Sequence, residues 1–217
     1  MPTRSSAERC LADVYAGIER YYSARVAKYG ATPPGVDWTC MPTQELRFVQ
    51  LLKLCDFAEP FSLNDLGCGY GALLAYLARR HARANVDYLG IDLSAAMIRR
   101  ARRMWRNHDQ ATFVVANDSR RIADYSVASG IFNVILDQPV KLWQHFVAKT
   151  LSRMHATSRR GFAVNFMTRP ARGKAARPGL YCISPEPWIH YCEQKLGSKV
   201  ELLTEYGLRE FTLLARS

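Results

Sequence analysis

Asn64-Asp65-Leu66-Gly67-Cys68-Gly69-Tyr70-Gly71 is the stretch on which the reading of this chain turns. An apolar run enters it from Phe61 and a helical pattern, Ala72 to Arg80, leaves it, which predicts a strand, a glycine turn and a helix. A turn this tight, opening into the amino end of a helix, aims backbone N–H groups and the positive end of the helix dipole at a small ligand. Glycines alternating at a strand exit let that ligand touch the backbone.

The ligand need not carry phosphate. Gly67, Gly69 and Ala72 also satisfy the dinucleotide fingerprint G-x-G-x-x-G/A, so spacing alone leaves NAD and S-adenosylmethionine both open. Three features favour the second: Asp65 two residues before the first glycine, a further glycine at Gly71, and about sixty residues of helical-looking chain ahead of the motif.

Outward from the motif, strand and helix patterns alternate as in a parallel sheet covered on both faces. Strands are expected at 61–66, 86–91, 112–116, 124–129 and 160–167, and helices at 71–82, 94–106, Val140 to His155, and from Ser184-Pro185 to Leu196. Lys199 to Thr204 and Arg209 to Leu214 are joined by too few residues for a crossover helix, so they must form a hairpin. On the amino side, helical spacing from Ser5 to Tyr29 ends at Gly30 and Pro33-Pro34-Gly35; a second helix, with Thr43 as expected N-cap, runs through Leu54. The expectation is one domain over 1–217: a helical cap at 1–58, within which 1–42 would act as a lid, and a sheet core at 59–217.

Asp65-Leu66-Gly67-Cys68-Gly69-Tyr70-Gly71, then Leu89-Gly90-Ile91-Asp92-Leu93-Ser94 and Met97-Ile98, resemble class I S-adenosylmethionine-dependent methyltransferases, from about Phe61 to the C-terminus. Within that superfamily the chain is similar to bacterial small-molecule methyltransferase-like proteins through Val36-Asp37-Trp38, Asp124 to Val134 and Ser158 to Phe162. The resemblance implies an α/β, Rossmann-like, seven-stranded sheet, mostly parallel with an antiparallel C-terminal hairpin strand, plus N-terminal helices. It implies S-adenosylmethionine as cofactor, S-adenosylhomocysteine as product, and no metal.

At 217 residues, 48% hydrophobic, the chain buries one sizeable core. Thirty Lys and Arg against 19 Asp and Glu give a net charge of +11, compatible with nucleic acid, a membrane surface or an anionic small molecule. Much of the excess, Arg99, Arg100, Arg102, Arg103 and Arg106, spreads around one helix and reads as a solvated surface. Six cysteines form no C-x-x-C pair and no zinc spacing, so they read as reduced thiols. No apolar run reaches the roughly eighteen residues of a membrane helix, and a cytoplasmic protein is expected.

Asp92, 21 residues beyond Gly71 at the end of the second strand, stands where a carboxylate holds a ribose diol; it could instead cap the helix at Ser94. The resemblance lays Met97, after Leu93, against the adenine. Asn117-Asp118-Ser119 follow strand three, with Asp118 expected on the adenine amine or in an Asx turn. Asp65 would orient the loop of Gly67, Cys68 and Gly69 and the methionyl amine, and Ser129 with Gly130 would face the amine or sulfonium. Tyr21, Tyr22 and Trp38 are expected as an aromatic lid, and Arg47 on the cofactor carboxylate.

Methyl transfer is an in-line displacement, so a dedicated catalytic residue need not exist. Candidates on the acceptor side are Asn133, Asp137, His145, Tyr181 and His190. The segment Thr168 to Cys182, with Arg169, Arg172, Lys174 and Arg177, would suit an anionic acceptor. The partner expected is a small-molecule acceptor rather than nucleic acid, because no Asn/Asp-Pro-Pro-Tyr/Phe motif follows strand four. RNA methylation and cofactor binding without transfer remain the competing readings.

Overall fold

The computed structural model describes residues 6–170 and 178–217. A 24-residue helix, α1 (Ser6–Tyr29), leads through a 3-10 turn (Pro33–Val36) to α2 (Met41–Leu52). The core then runs β1 (Phe61–Leu66), α3 (Ala72–Arg80), β2 (Val86–Asp92), α4 (Ala95–Met104), β3 (Ala111–Val115), β4 (Ala123–Ala128), α5 (Val140–Ala156) and β5 (Ser158–Thr168). It ends with β6 (Cys182–Ile183), α6 (Glu186–Leu196), β7 (Lys199–Leu203) and β8 (Glu210–Arg216).

The main path of the sheet is β3-β2-β1-β4-β5-β8-β7. Every neighbouring pair from β3 to β5 is parallel, while β8 runs antiparallel to both β5 and β7. The seven expected strands are present in that order of pairing, and the expected hairpin is β7–β8. An eighth was not foreseen: β6 pairs in parallel with the far end of β5, Met167 opposite Cys182. Two residues carry no readable periodicity, which is why the sequence hides it.

Two cores flank the sheet. One side packs Trp143, Phe146 and Leu151 of α5 and Leu11 and Val14 of α1 over Phe132, Phe162 and Phe166. The other packs Phe48 and Leu51 of α2 and Leu73 and Leu77 of α3 over Leu63, Tyr88 and Val127. Covered on both faces, β1 and β4 are buried almost throughout, polar residues such as Asn64, Asp65 and Ser126 included. α2 begins earlier than its composition suggests: Cys40 is its N-cap and Pro42 sits in its first turn, while the Thr43 hydroxyl donates back to the Cys40 carbonyl at 3.0 Å. The reversal of strand order between β1 and β4 leaves a crevice at the carboxyl ends of the parallel strands, where ligands of open α/β sheets bind.

Candidate functional site

That crevice opens into a cavity at the carboxyl ends of β1, β2 and β4, whose empty space is about 970 Å³ with the open solvent at its mouth included. Its floor is the glycine loop. Gly67 takes φ of 77°, and a Cβ there would stand 2.3 Å from Cγ2 of Ile131, so the loop lies flush under the chain that follows β4.

The loop's amides are mostly spent on the protein itself, contrary to the expectation that they face a ligand. Gly67 and Cys68 N–H both donate to the Ile91 carbonyl (2.8 and 3.0 Å), Gly71 N–H donates to the Cys68 carbonyl (2.9 Å), and Gly69 N–H donates to Oδ2 of Asp92 (2.9 Å). The cavity is offered carboxylates instead. Asp65 is buried at the end of β1, where Tyr88 Oη donates to its Oδ2; burial pushes its carboxyl up to about 7, against the pull of that hydrogen bond. Asp92 is pushed up to about 6, again by burial, although Ser94 N–H and Gly69 N–H both hold its charged form. Ser94, not Asp92, caps α4: its Oγ accepts from Met97 N–H at 3.2 Å. Asp92 is thereby left with lone pairs facing the cavity.

Of the expected binding residues, Asp65, Gly67, Cys68, Gly69, Asp92, Leu93, Met97, Asn117, Ser129 and Trp38 all line this one cavity. The Ser129 hydroxyl is buried there with no hydrogen-bond partner, and the buried Cys68 thiol is held well above its ordinary pKa by burial. Asp118 turns away: its Oδ2 accepts from Arg153 Nε at 2.9 Å, and it borders a neighbouring cavity with Ser119. Ser119 is occupied in a turn, exchanging hydrogen bonds with the Arg121 backbone (2.9 and 3.1 Å). Tyr21 also points elsewhere, donating to Asp37 at 2.7 Å, and the α1 face on the cavity is Tyr15, Ile18, Glu19 and Tyr22. These four follow i, i+3, i+4, i+7 spacing, so of the two tyrosines expected in the lid Tyr22 lines the cavity and Tyr21 does not.

Arg47 is not free to meet a cofactor carboxylate. It is buried against Glu210, and its guanidinium carbon lies 3.8 Å from the Trp38 ring centroid. Of the acceptor-side candidates, Tyr181 and Asn133 meet through their backbones, away from the cavity. Asp137, His145 and His190 are exposed; Tyr181 is buried, its N–H donating to the Asn133 carbonyl at 2.8 Å. Asn133 is buried with both side-chain polar atoms unpartnered, and none of the five lines the cavity. Arg172, Lys174 and Arg177 lie outside the described residues. Gln44, Phe48, Phe146 and Thr150 complete the wall, unread in the sequence because only tertiary packing brings α2 and α5 to it.

The residues fit S-adenosylmethionine: buried carboxylates for hydroxyl and ammonium donors, an unpartnered hydroxyl, and apolar surface from Met97, Leu93 and Ala116 for a flat base. Fold and site together define a nucleoside-binding methyltransferase.

The comparisons agree. The Methyltransferase domain family matches residues 64–161. The Mycobacterium tuberculosis protein Rv1506c, which carries a methyltransferase name, is 43% identical over 165 residues, 76% of this chain and 98% of that protein. Among solved structures, the DhpI-SAM-HEP complex superposes with a TM-score of 0.64 at 16% identity, covering 99% of this chain and 100% of the other. An O-methyltransferase family protein from Burkholderia thailandensis gives 0.59 at 17% identity; 81% of this chain is covered, spanning 55% of that one. The chain belongs to the class I S-adenosylmethionine-dependent methyltransferases, with S-adenosylmethionine as its cofactor. No described helix is long and apolar enough to cross a membrane.

Proposed function

We propose that the protein transfers the cofactor's methyl group to an oxygen or nitrogen of a small-molecule acceptor, under a cap formed by residues 1–58. The observation that carries the site assignment is that Asp65 and Asp92 converge on a cavity where the Gly67, Cys68, Gly69 and Gly71 amides are taken up within the protein. A pyrophosphate needs free N–H groups or cations, and among the described lining residues there is no Lys, Arg or His. A nucleoside with a ribose diol and an ammonium group meets acceptors it can use.

The bound cofactor supplies an electrophilic methyl group on a sulfonium. The chain's own part is to hold and orient it: Asp92 accepts from the ribose, Asp65 from the amine, and Met97 packs the base. Tyr22 and Trp38 exclude water from the reacting end. A base is required only where the acceptor must lose a proton. An anionic acceptor would draw on the cationic segment 169–177 rather than on the described cavity wall.

Calorimetry with S-adenosylmethionine, S-adenosylhomocysteine and NAD tests the assignment: the first two bind and NAD does not. Heat from NAD alone overturns it. RNA methylation is favoured only by the +11 charge and exposed Arg99, Arg103 and Arg106; tight, steeply salt-dependent RNA mobility shifts would put it first.

A further inference from the structure

Resting on the cofactor reading above, we propose that Glu19 on the N-terminal helix makes the site discriminate by charge, favouring the sulfonium donor over the neutral thioether product. Methyl transfer would then loosen the protein's hold on the spent cofactor.

In a chain of net charge +11, the charged side chains lining the described cavity are three carboxylates, Asp65, Asp92 and Glu19. A ribose diol engages one carboxylate and an amine another; neither calls for a third. Glu19 has no ion-pair partner among the described side chains. It is nonetheless fixed in place. Ser23 Oγ donates to its Oε1 at 2.7 Å, and Ser23 Oγ lies 2.7 Å from Ser94 Oγ. Because Ser23 has one hydroxyl proton and gives it to Glu19, Ser94 must donate to Ser23, while Ser94 still accepts from Met97 N–H. The Ser94 N–H in turn holds Oδ1 of Asp92 at 2.8 Å. Lid carboxylate and ribose carboxylate are thus tied into one array, and the Glu19 charge helps to push Asp92 up.

Like charges held together across a cavity repel, and a cation placed among them relieves the repulsion. Donor and product differ by the methyl group and by the charge on sulfur. On transfer, the bond pair between carbon and sulfur stays on sulfur, which becomes neutral, and a lone pair of the acceptor forms the new bond to carbon. Any acceptor proton leaves to water. An attraction of Glu19 for the sulfonium would end at that moment, whereas contacts to the ribose and amine would persist.

The test is calorimetry on the full chain with S-adenosylmethionine, S-adenosylhomocysteine and a non-reactive analogue bearing an ammonium in place of the sulfonium. Glu19→Gln keeps an acceptor for Ser23 and removes only the charge. The variant should lose about fivefold in affinity for both cationic ligands, the factor carried by one partly exposed charge pair, and stay within about twofold for the product. Equal losses for all three ligands would make Glu19 a helix-positioning residue and overturn the proposal, as would no loss for any. Failure of the wild-type chain to bind any of them would overturn the cofactor assignment itself.

Discussion

Arg47 on α2 and Glu210 on β8, 163 residues apart, form a buried bidentate pair: Arg47 Nε donates to both carboxylate oxygens at 3.0 and 2.9 Å. The pair does not stand alone. Asn165 Nδ2 donates to Glu210 Oε2 at 2.6 Å, Asn165 Oδ1 accepts from Gly130 N–H at 2.7 Å, and the Arg47 guanidinium underlies Trp38. Two walls of the cofactor cavity, Gly130 and Trp38, are therefore set by one polar network buried behind them. Removing one partner strands the other charge, so Arg47→Met should cost about 3–5 kcal/mol. The double change Arg47→Met, Glu210→Leu should recover most of it, because no unpaired charge remains. Urea denaturation of the single and double variants checks both; equal destabilisation would mean the loss is one of packing.

Asp92→Ala removes hydrogen bonds to the ribose and should weaken cofactor binding by about 2–4 kcal/mol. The fold should persist, because Ser94 supplies the α4 cap. Affinity at the wild-type level with an intact melting transition would show that the carboxylate serves only the Gly69 and Ser94 amides.

Stability should vary with pH in a direction set by the two buried acids. Asp65 and Asp92, raised from an ordinary 3.8 to about 7 and about 6, keep protons in the native state that the unfolded chain has released. Between about pH 4 and pH 7 the unfolded state binds fewer protons, so the free protein loses stability as pH rises through that window. A cationic ligand favours the charged carboxylates, so the stabilisation by S-adenosylmethionine should grow as pH passes from 6 to 7. Melting temperatures with and without ligand from pH 5 to 8 show this as two curves that diverge. An Asp65→Asn, Asp92→Asn variant should flatten the free-protein slope.

The alternation of strand and helix, the parallel sheet and the hairpin were legible because apolar runs, crossover lengths and the glycine turn are local properties of the sequence, whereas the order of the strands in the sheet was not. So were Asp65 and Asp92, fixed by their distance from the glycines. Two of the departures have one physical kind. Arg47 and Asp118 were read as ligand contacts, and each is neutralised by a partner far along the chain, Glu210 and Arg153. No local pattern announces such pairing. Tyr21 and Tyr22 are adjacent on a helix and face about 100° apart, so composition could place an aromatic lid but not choose which ring enters it.

The lid itself gives the last prediction. Leu11 and Val14 of α1 are buried in the main core beside Trp143 and Phe146, which anchors the first half of the helix. The segment from Gly30 to Trp38 is attached differently. Arg25 holds the Pro34 carbonyl through two donors at 3.0 and 2.7 Å and pairs with Asp37 at 2.9 Å, so the turn is fastened to α1 rather than to the sheet. Trp38 and Val36 reach across: a Cβ on Gly130 would stand 2.3 Å from the Trp38 ring, and one on Gly69 2.9 Å from Cγ1 of Val36. Motion should therefore be a release of Trp38 from Gly130 with the turn following, while the start of α1 stays docked. Bound S-adenosylhomocysteine should slow proteolysis within residues 30–42 and leave cleavage elsewhere unchanged, because the ligand stabilises the closed form. Trp38→Ala should abolish that protection and weaken ligand binding, with the core still folded. Cleavage of 30–42 at one rate with and without ligand would make the segment fixed scaffold, and Trp38 a packing residue over Gly130.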